Sequence, residues 1–141
     1  MHSTAMFWPM LGMAILTGIA TVVVGRRRQA AIRAREMRMD DFVGGGDIPM
    51  TPAVWVSTRH LANHFEMPVL FHLICLAHLA LQAGNVLALV LAWAFVLARA
   101  LHMREHLGPN RVMRRFNLFL AGTLLMWALW LHLAAVLLLR G

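Results

Sequence analysis

The stretch RHLANHFEMPVLF, residues 59–71, decides how this chain is read. Its second half is apolar and continues to Leu81, which gives it the character of a membrane-length hydrophobic segment. Its first half carries Arg59, Asn63 and Glu66 into the same segment, at spacing i, i+4, i+7. On one continuous helix, at about 100° per residue, these three share a stripe. Ionisable groups at membrane depth are costly unless they are paired or solvated in a cavity, so the stripe points to a polar site between helices. The bland alternative is that an arginine near a helix end snorkels to the headgroups and that an Arg–Glu pair neutralises itself inside a bundle.

The composition supports a membrane setting. Of 141 residues, 60% are apolar and 13% charged, and the chain has no Lys and no Tyr. The formal net charge is +7, but the arginines lie beside apolar runs rather than on an amphipathic face interleaved with aromatics. That pattern orients a membrane protein and argues against a nucleic-acid partner. Cys75 is alone in an apolar run, so there is no disulfide framework and its role is packing.

Working outward, the hydrophobic runs predict four transmembrane helices, over about residues 5–25, 58–81, 86–103 and 114–139. The first is followed, not preceded, by Arg26, Arg27 and Arg28, which argues against a cleaved secretory signal. Residues 26–57 read as a surface loop broken by DDFVGGGDIPMTP, and QAGN, residues 82–85, reads as a short hairpin. No internal repeat recurs. The expected fold is an all-α integral membrane protein, a single domain over 1–141 whose helices form a left-handed antiparallel bundle. Six arginines fall in 26–58 and four in 104–115, against none in 82–85 and one, Arg140, in the tail. Both long loops should therefore be cytoplasmic and both termini non-cytoplasmic.

Two further polar clusters fall at the same end. Arg99, His102 and His106 are spaced i, i+3, i+7 at the end of the third helix, and Arg114 and Arg115 open the fourth. With the stripe of the second helix they converge at one depth. Pro68 removes the amide that would bond the His64 carbonyl, so the second helix should kink or loosen there.

The run Arg59-x-x-x-Asn63-x-x-Glu66-x-Pro68-x-x-Phe71 resembles the second-helix signature of the MAPEG family, the membrane-associated proteins of eicosanoid and glutathione metabolism. The run WAFVLARALHMREHLGPNRVMRRFNLF, residues 93–119, resembles that family's segment joining the third and fourth helices, in the form of its bacterial members. The resemblance implies a homotrimer of four-helix protomers in a bacterial inner membrane, with glutathione as co-substrate between subunits near the cytoplasmic face. It implies that Arg59, Asn63, Glu66 and Arg99 hold the tripeptide, with His102, His106 and Arg115 in the same site. It also implies that Arg114, or Arg115 in a shifted register, activates the thiol for attack on a hydrophobic electrophile, as a glutathione transferase or peroxidase does. The chemistry is consistent: glutathione carries two carboxylates and an ammonium, and a guanidinium beside the sulfur favours thiolate.

The chain departs from that pattern in two places. Histidines stand at 102 and 106 where well-characterised eukaryotic members have tyrosines, and one residue fewer separates Glu66 from Pro68. Other readings stand beside the enzyme. A haem-binding electron carrier would use His78 and His132, which lie at similar depth. The alternative for such histidines is a hydrogen bond to a neighbouring helix. His60 with His64, and His102 with His106, have chelating i, i+4 spacing, but neither pair has a nominated third ligand, so no metal is expected. A non-catalytic member keeping the fold and binding a lipid or partner is the remaining reading.

Overall fold

The computed structural model describes residues 2–43 and 50–140, so the 44–49 part of the long loop, with its glycines, lies outside the described residues. The described residues form helices and connections with no strand. After a helical turn at His2–Ala5 come α1 (Phe7–Arg33), a 3₁₀ turn (Met39–Phe42), α2 (Pro52–Ala62), a 3₁₀ turn (Asn63–Phe65), α3 (Met67–Ala80), α4 (Val86–Leu107) and α5 (Val112–Arg140). Three of them, α1, α4 and α5, are long and apolar enough to cross a membrane.

The first helix runs beyond the expected end at residue 25, through Arg26–Arg28, to Arg33. The arginines end the apolar stretch but not the helix, because Arg, Ala and Gln are good helix formers and no breaker intervenes. The helix stops where Arg35 takes a left-handed conformation (φ 57°) and the Glu36 amide donates back to the Ala31 carbonyl over 3.0 Å, a Schellman end. The hairpin after α3 closes in the same way, with Gln82 at φ 50° and the Ala83 amide donating to His78 over 2.9 Å. Asn85 then caps α4, its Oδ1 accepting from the Ala88 amide at 2.9 Å.

The segment expected as one helix over 58–81 is two. It begins earlier, at Pro52, where Thr51 caps the first turn, and it breaks at Glu66 (φ −107°, ψ −99°). Pro68 is the cause: it offers no amide and its ring would collide with the carbonyl four residues back, so the preceding turn tightens to 3₁₀ and helix resumes with Pro68 in its first turn.

The core lies between α1, α3, α4 and α5, around Met6, Met13, Phe71, Ile74, Cys75, Phe95, Met126 and Leu129. Phe71 stacks on Phe95 at 4.2 Å between ring centroids. Many large apolar side chains point outward, among them Ile15, Leu73, Val90, Leu124 and Leu131, as suits helices that face lipid. Both ends are pinned by arginines that donate to backbone carbonyls, those of Leu107, Leu81 and Gln82 lying at or just past the C-terminal ends of helices. Arg27 donates to the Leu107 carbonyl over 2.7 Å and to the Ala53 carbonyl over 3.1 Å. At the opposite end Arg140 donates to Leu81 and Gln82 over 2.8 and 2.9 Å.

Candidate functional site

A cavity of about 310 Å³ opens at the arginine-rich end, lined by residues of α2, the Asn63–Phe65 turn, α4 and α5. Arg59, Asn63, His102, His106 and Arg115 all reach it, which brings together five of the side chains singled out in the sequence. Trp55, Phe116 and Phe119 supply apolar walls. The Arg59 guanidinium sits 5.7 Å from the Trp55 ring centroid, and Arg115 donates to Asn110 Oδ1 over 2.7 Å.

Arg99 lies close by at 1% exposure, 5.9 Å from the Phe119 ring centroid, with its aliphatic stem against Gly122. Among the described residues its Nε and Nη2 have no hydrogen-bond partner. A buried guanidinium with two unmatched donors is costly, and an anionic ligand would remove that cost. Glu66 is exposed and does not line the cavity. The stripe that would have joined it to Arg59 and Asn63 required an unbroken helix, and the break falls between Asn63 and Glu66. Its charge still acts on Arg99.

Arg114 faces elsewhere. It lines a second cavity of about 500 Å³ with Arg104, Glu105, Arg111 and Asn117. There Arg111 and Glu105 form the only ion pair among the described residues, Nε to Oε1 at 2.9 Å. Hydrogen bonding to Glu105 raises the pKa of Arg111 further above its already high ordinary value, so it stays charged.

Beside the first cavity the structure joins two histidine pairs that the sequence left separate. Thr17 Oγ1 is 3.0 Å from His64 Nδ1, His64 Nε2 is 3.3 Å from His60 Nε2, and His60 Nδ1 is 3.2 Å from His106 Nδ1. His102 stacks on His60 at 5.6 Å between centroids. Only the chelating spacing within each pair hinted at this in the sequence. Far from it, His78 and His132 bond each other at 3.0 Å in a stacked pair, and His78 Nδ1 is 2.8 Å from the Ile74 carbonyl, so these rings meet one another's hydrogen-bonding needs.

The sequence model of the MAPEG family matches residues 5–135, nearly the whole chain, including every residue of the cavity. The chain belongs to the MAPEG family. Membership fits an integral membrane helical protein of a family broadly associated with glutathione-dependent transferase and peroxidase chemistry. Comparison with curated proteins and with solved structures found no match. In this MAPEG chain the polar cavity lies at the basic end.

Proposed function

We propose that the protein is a membrane-bound, glutathione-dependent transferase or peroxidase-like protein that activates the glutathione thiol for attack on a hydrophobic electrophile. The observation that carries this reading is the convergence of Arg59, Asn63 and Arg115 on one cavity beside Arg99, whose buried Nε and Nη2 have no hydrogen-bond partner among the described residues. Glutathione presents two carboxylates to such a cluster, and guanidinium groups bind carboxylates through paired, charge-assisted hydrogen bonds. His102 and His106 stand as hydrogen-bonding groups on the cavity wall.

In this reading the protein is a homotrimer of four-span protomers in a bacterial inner membrane, with α2 and α3 together making the second span and glutathione bound near the cytoplasmic face. Glu66, exposed at the helix break, would meet the glutathione ammonium or orient an arginine. Arg115 binds glutathione within its own protomer. Arg114, which opens onto the other cavity, activates the thiol of glutathione held by a neighbouring protomer, because a cation beside the sulfur favours thiolate. The electrophile arrives from the bilayer between apolar helices.

Equilibrium binding of glutathione to the purified detergent-solubilised protein tests the proposal. Saturable binding that is lost in Arg99→Leu is expected. No binding at millimolar glutathione would overturn it and leave the non-catalytic reading in its place.

A further inference from the structure

We propose that His60, His102 and His106 form a binding site for a first-row divalent transition metal of the Zn²⁺ class, independent of whether the protein uses glutathione. Each of the three offers one ligand nitrogen, and these nitrogens all lie within 4.8 Å of one another. His60 comes from α2, while His102 and His106 stand one turn apart on α4, so two helices clamp a single point. The side chains are 0%, 2% and 5% exposed, which places the point out of bulk solvent.

The spacing suits a metal as well as it suits a hydrogen bond. His60 Nδ1 and His106 Nδ1 are 3.2 Å apart. Two imidazole nitrogens on a tetrahedral zinc ion, each at roughly 2.0–2.1 Å, stand about 3.3 Å from each other. The His60–His106 pair already has that spacing, and the three nitrogens together, which lie within 4.8 Å, would draw in to it around the ion. His102 separates the two readings. Its Nδ1 is buried with no hydrogen-bond partner among the described residues, so a network of protein hydrogen bonds leaves this ring incompletely used.

Support beyond the ligands is also in place. Metal-binding histidines are held by a hydrogen bond at the ring nitrogen that does not face the metal. The His60 Nε2 contact with His64 Nε2, backed by Thr17 on His64 Nδ1, is an arrangement of that kind. Three imidazoles and no carboxylate select a borderline ion such as Zn²⁺, Co²⁺ or Cu²⁺ over Mg²⁺ or Ca²⁺, which take oxygen ligands. Three protein ligands leave a fourth position open, the pattern of sites that bind an exchangeable ligand. His102 and His106 also border the 310 Å³ cavity, so that position is within reach of a molecule there.

The opposing factor is the surrounding arginine charge, which disfavours a further cation: Arg99 acts on all three rings, Arg115 on His102 and His106, and Arg27 and Arg59 on His106. An anionic fourth ligand, such as hydroxide, a thiolate or a carboxylate, offsets it. The same anion would lie near a guanidinium whose Nε and Nη2 have no hydrogen-bond partner among the described residues.

Untagged protein, stripped with chelator and titrated with Zn²⁺ alone, tests the site by calorimetry, with Co²⁺ alone as an optical probe. One equivalent per chain and the intense visible bands of tetrahedral cobalt are expected. His60→Asn and His102→Asn should each weaken Zn²⁺ binding at least about 10-fold, and His64→Ala, which removes only support, about 10-fold as well. His78→Ala, at the distant pair, should leave the stoichiometry unchanged. X-ray absorption on the zinc-loaded unaltered protein, which needs no variant to fold, should show three imidazole nitrogens in the first shell. Absence of stoichiometric binding, a shell with fewer than three imidazoles, or unchanged affinity in helical His60→Asn and His102→Asn proteins would each overturn the proposal. Glutathione binding measured on the stripped protein reports separately on the cavity, so failure of either reading leaves the other standing.

Discussion

Arg114 and Arg115 are adjacent in sequence and open onto different cavities, Arg115 onto the one with Arg59, Asn63, His102 and His106, Arg114 onto the one with Glu105 and Arg111. Consecutive residues on a helix point about 100° apart, so the first turn of α5 can serve two sites at once. Their roles should separate accordingly. Arg115→Leu should weaken glutathione binding by about 2 kcal/mol, the scale of a lost charged hydrogen bond. Arg114→Leu should leave binding in place while thiolate absorbance falls and the conjugation rate drops on the order of 100-fold. A rate lost only in Arg115→Leu would put activation inside one protomer, and a double variant of full activity would move it to Arg99.

Glu66→Gln keeps the shape of the side chain and removes its charge at the break between α2 and α3. Glutathione affinity should fall by about 1 to 3 kcal/mol, with helicity unchanged. Unaltered affinity by calorimetry would remove Glu66 from the site and leave it as an exposed residue at a helix end.

Gly122 tests how closely α5 supports the buried arginine. A Cβ built there would lie 3.7 Å from Arg99 Cδ and 3.9 Å from Ala98 Cβ, ordinary contact distances. Gly122→Ala should therefore fold normally and gain up to about 1 kcal/mol from helix propensity. Gly122→Leu has no such room and should displace Arg99, lowering both thermal stability and glutathione affinity. Equal behaviour of the two variants would show that Arg99 is not held by this contact.

The orientation expected from the arginine distribution, with both termini outside and the two arginine-rich loops in the cytoplasm, predicts the readout of reporter fusions. Fusions at Gly45 and Pro109 should report a cytoplasmic position and a fusion at Gly141 an external one. A cytoplasmic signal at Gly141 would invert the protein and move the cavity to the other face.

The His78–His132 pair should act as an interhelical tie between α3 and α5. His78→Ala should cost about 0.6 kcal/mol of stability and no more than about 1.7, the average and the maximum for hydrogen bonds between membrane helices. Haem added to the unaltered protein should give no bis-histidine Soret band. Such a band, lost in His78→Ala, would instead favour an electron carrier.

Much of the architecture was legible because local rules govern it. Apolar runs in α1, α4 and α5 are long enough to span a bilayer, and Pro68 marked where the helix would loosen, since a residue without an amide cannot continue the ladder. The convergence of Arg59, Asn63, His102, His106 and Arg115 could be anticipated from their spacing and common depth. Helix ends were less legible: Arg26–Arg28 stop an apolar run without stopping a helix, because charge and helix propensity are separate properties.

Other features were decided only by tertiary structure. Periodicity assigns faces to one continuous helix, but after the break at Glu66 the phase is reset, and Glu66 leaves the wall that Arg59 and Asn63 keep. Whether His60 and His64 would meet His102 and His106 depended on which faces of α2 and α4 pack together, and spacing within either helix carries no information about that. The burial of Arg99, with Nε and Nη2 unpartnered among the described residues, arises in the same way, from Gly122 and Phe119 on α5 closing over a residue of α4. Sequence thus determined which polar groups lie at the basic end, and packing between helices determined which of them share a cavity.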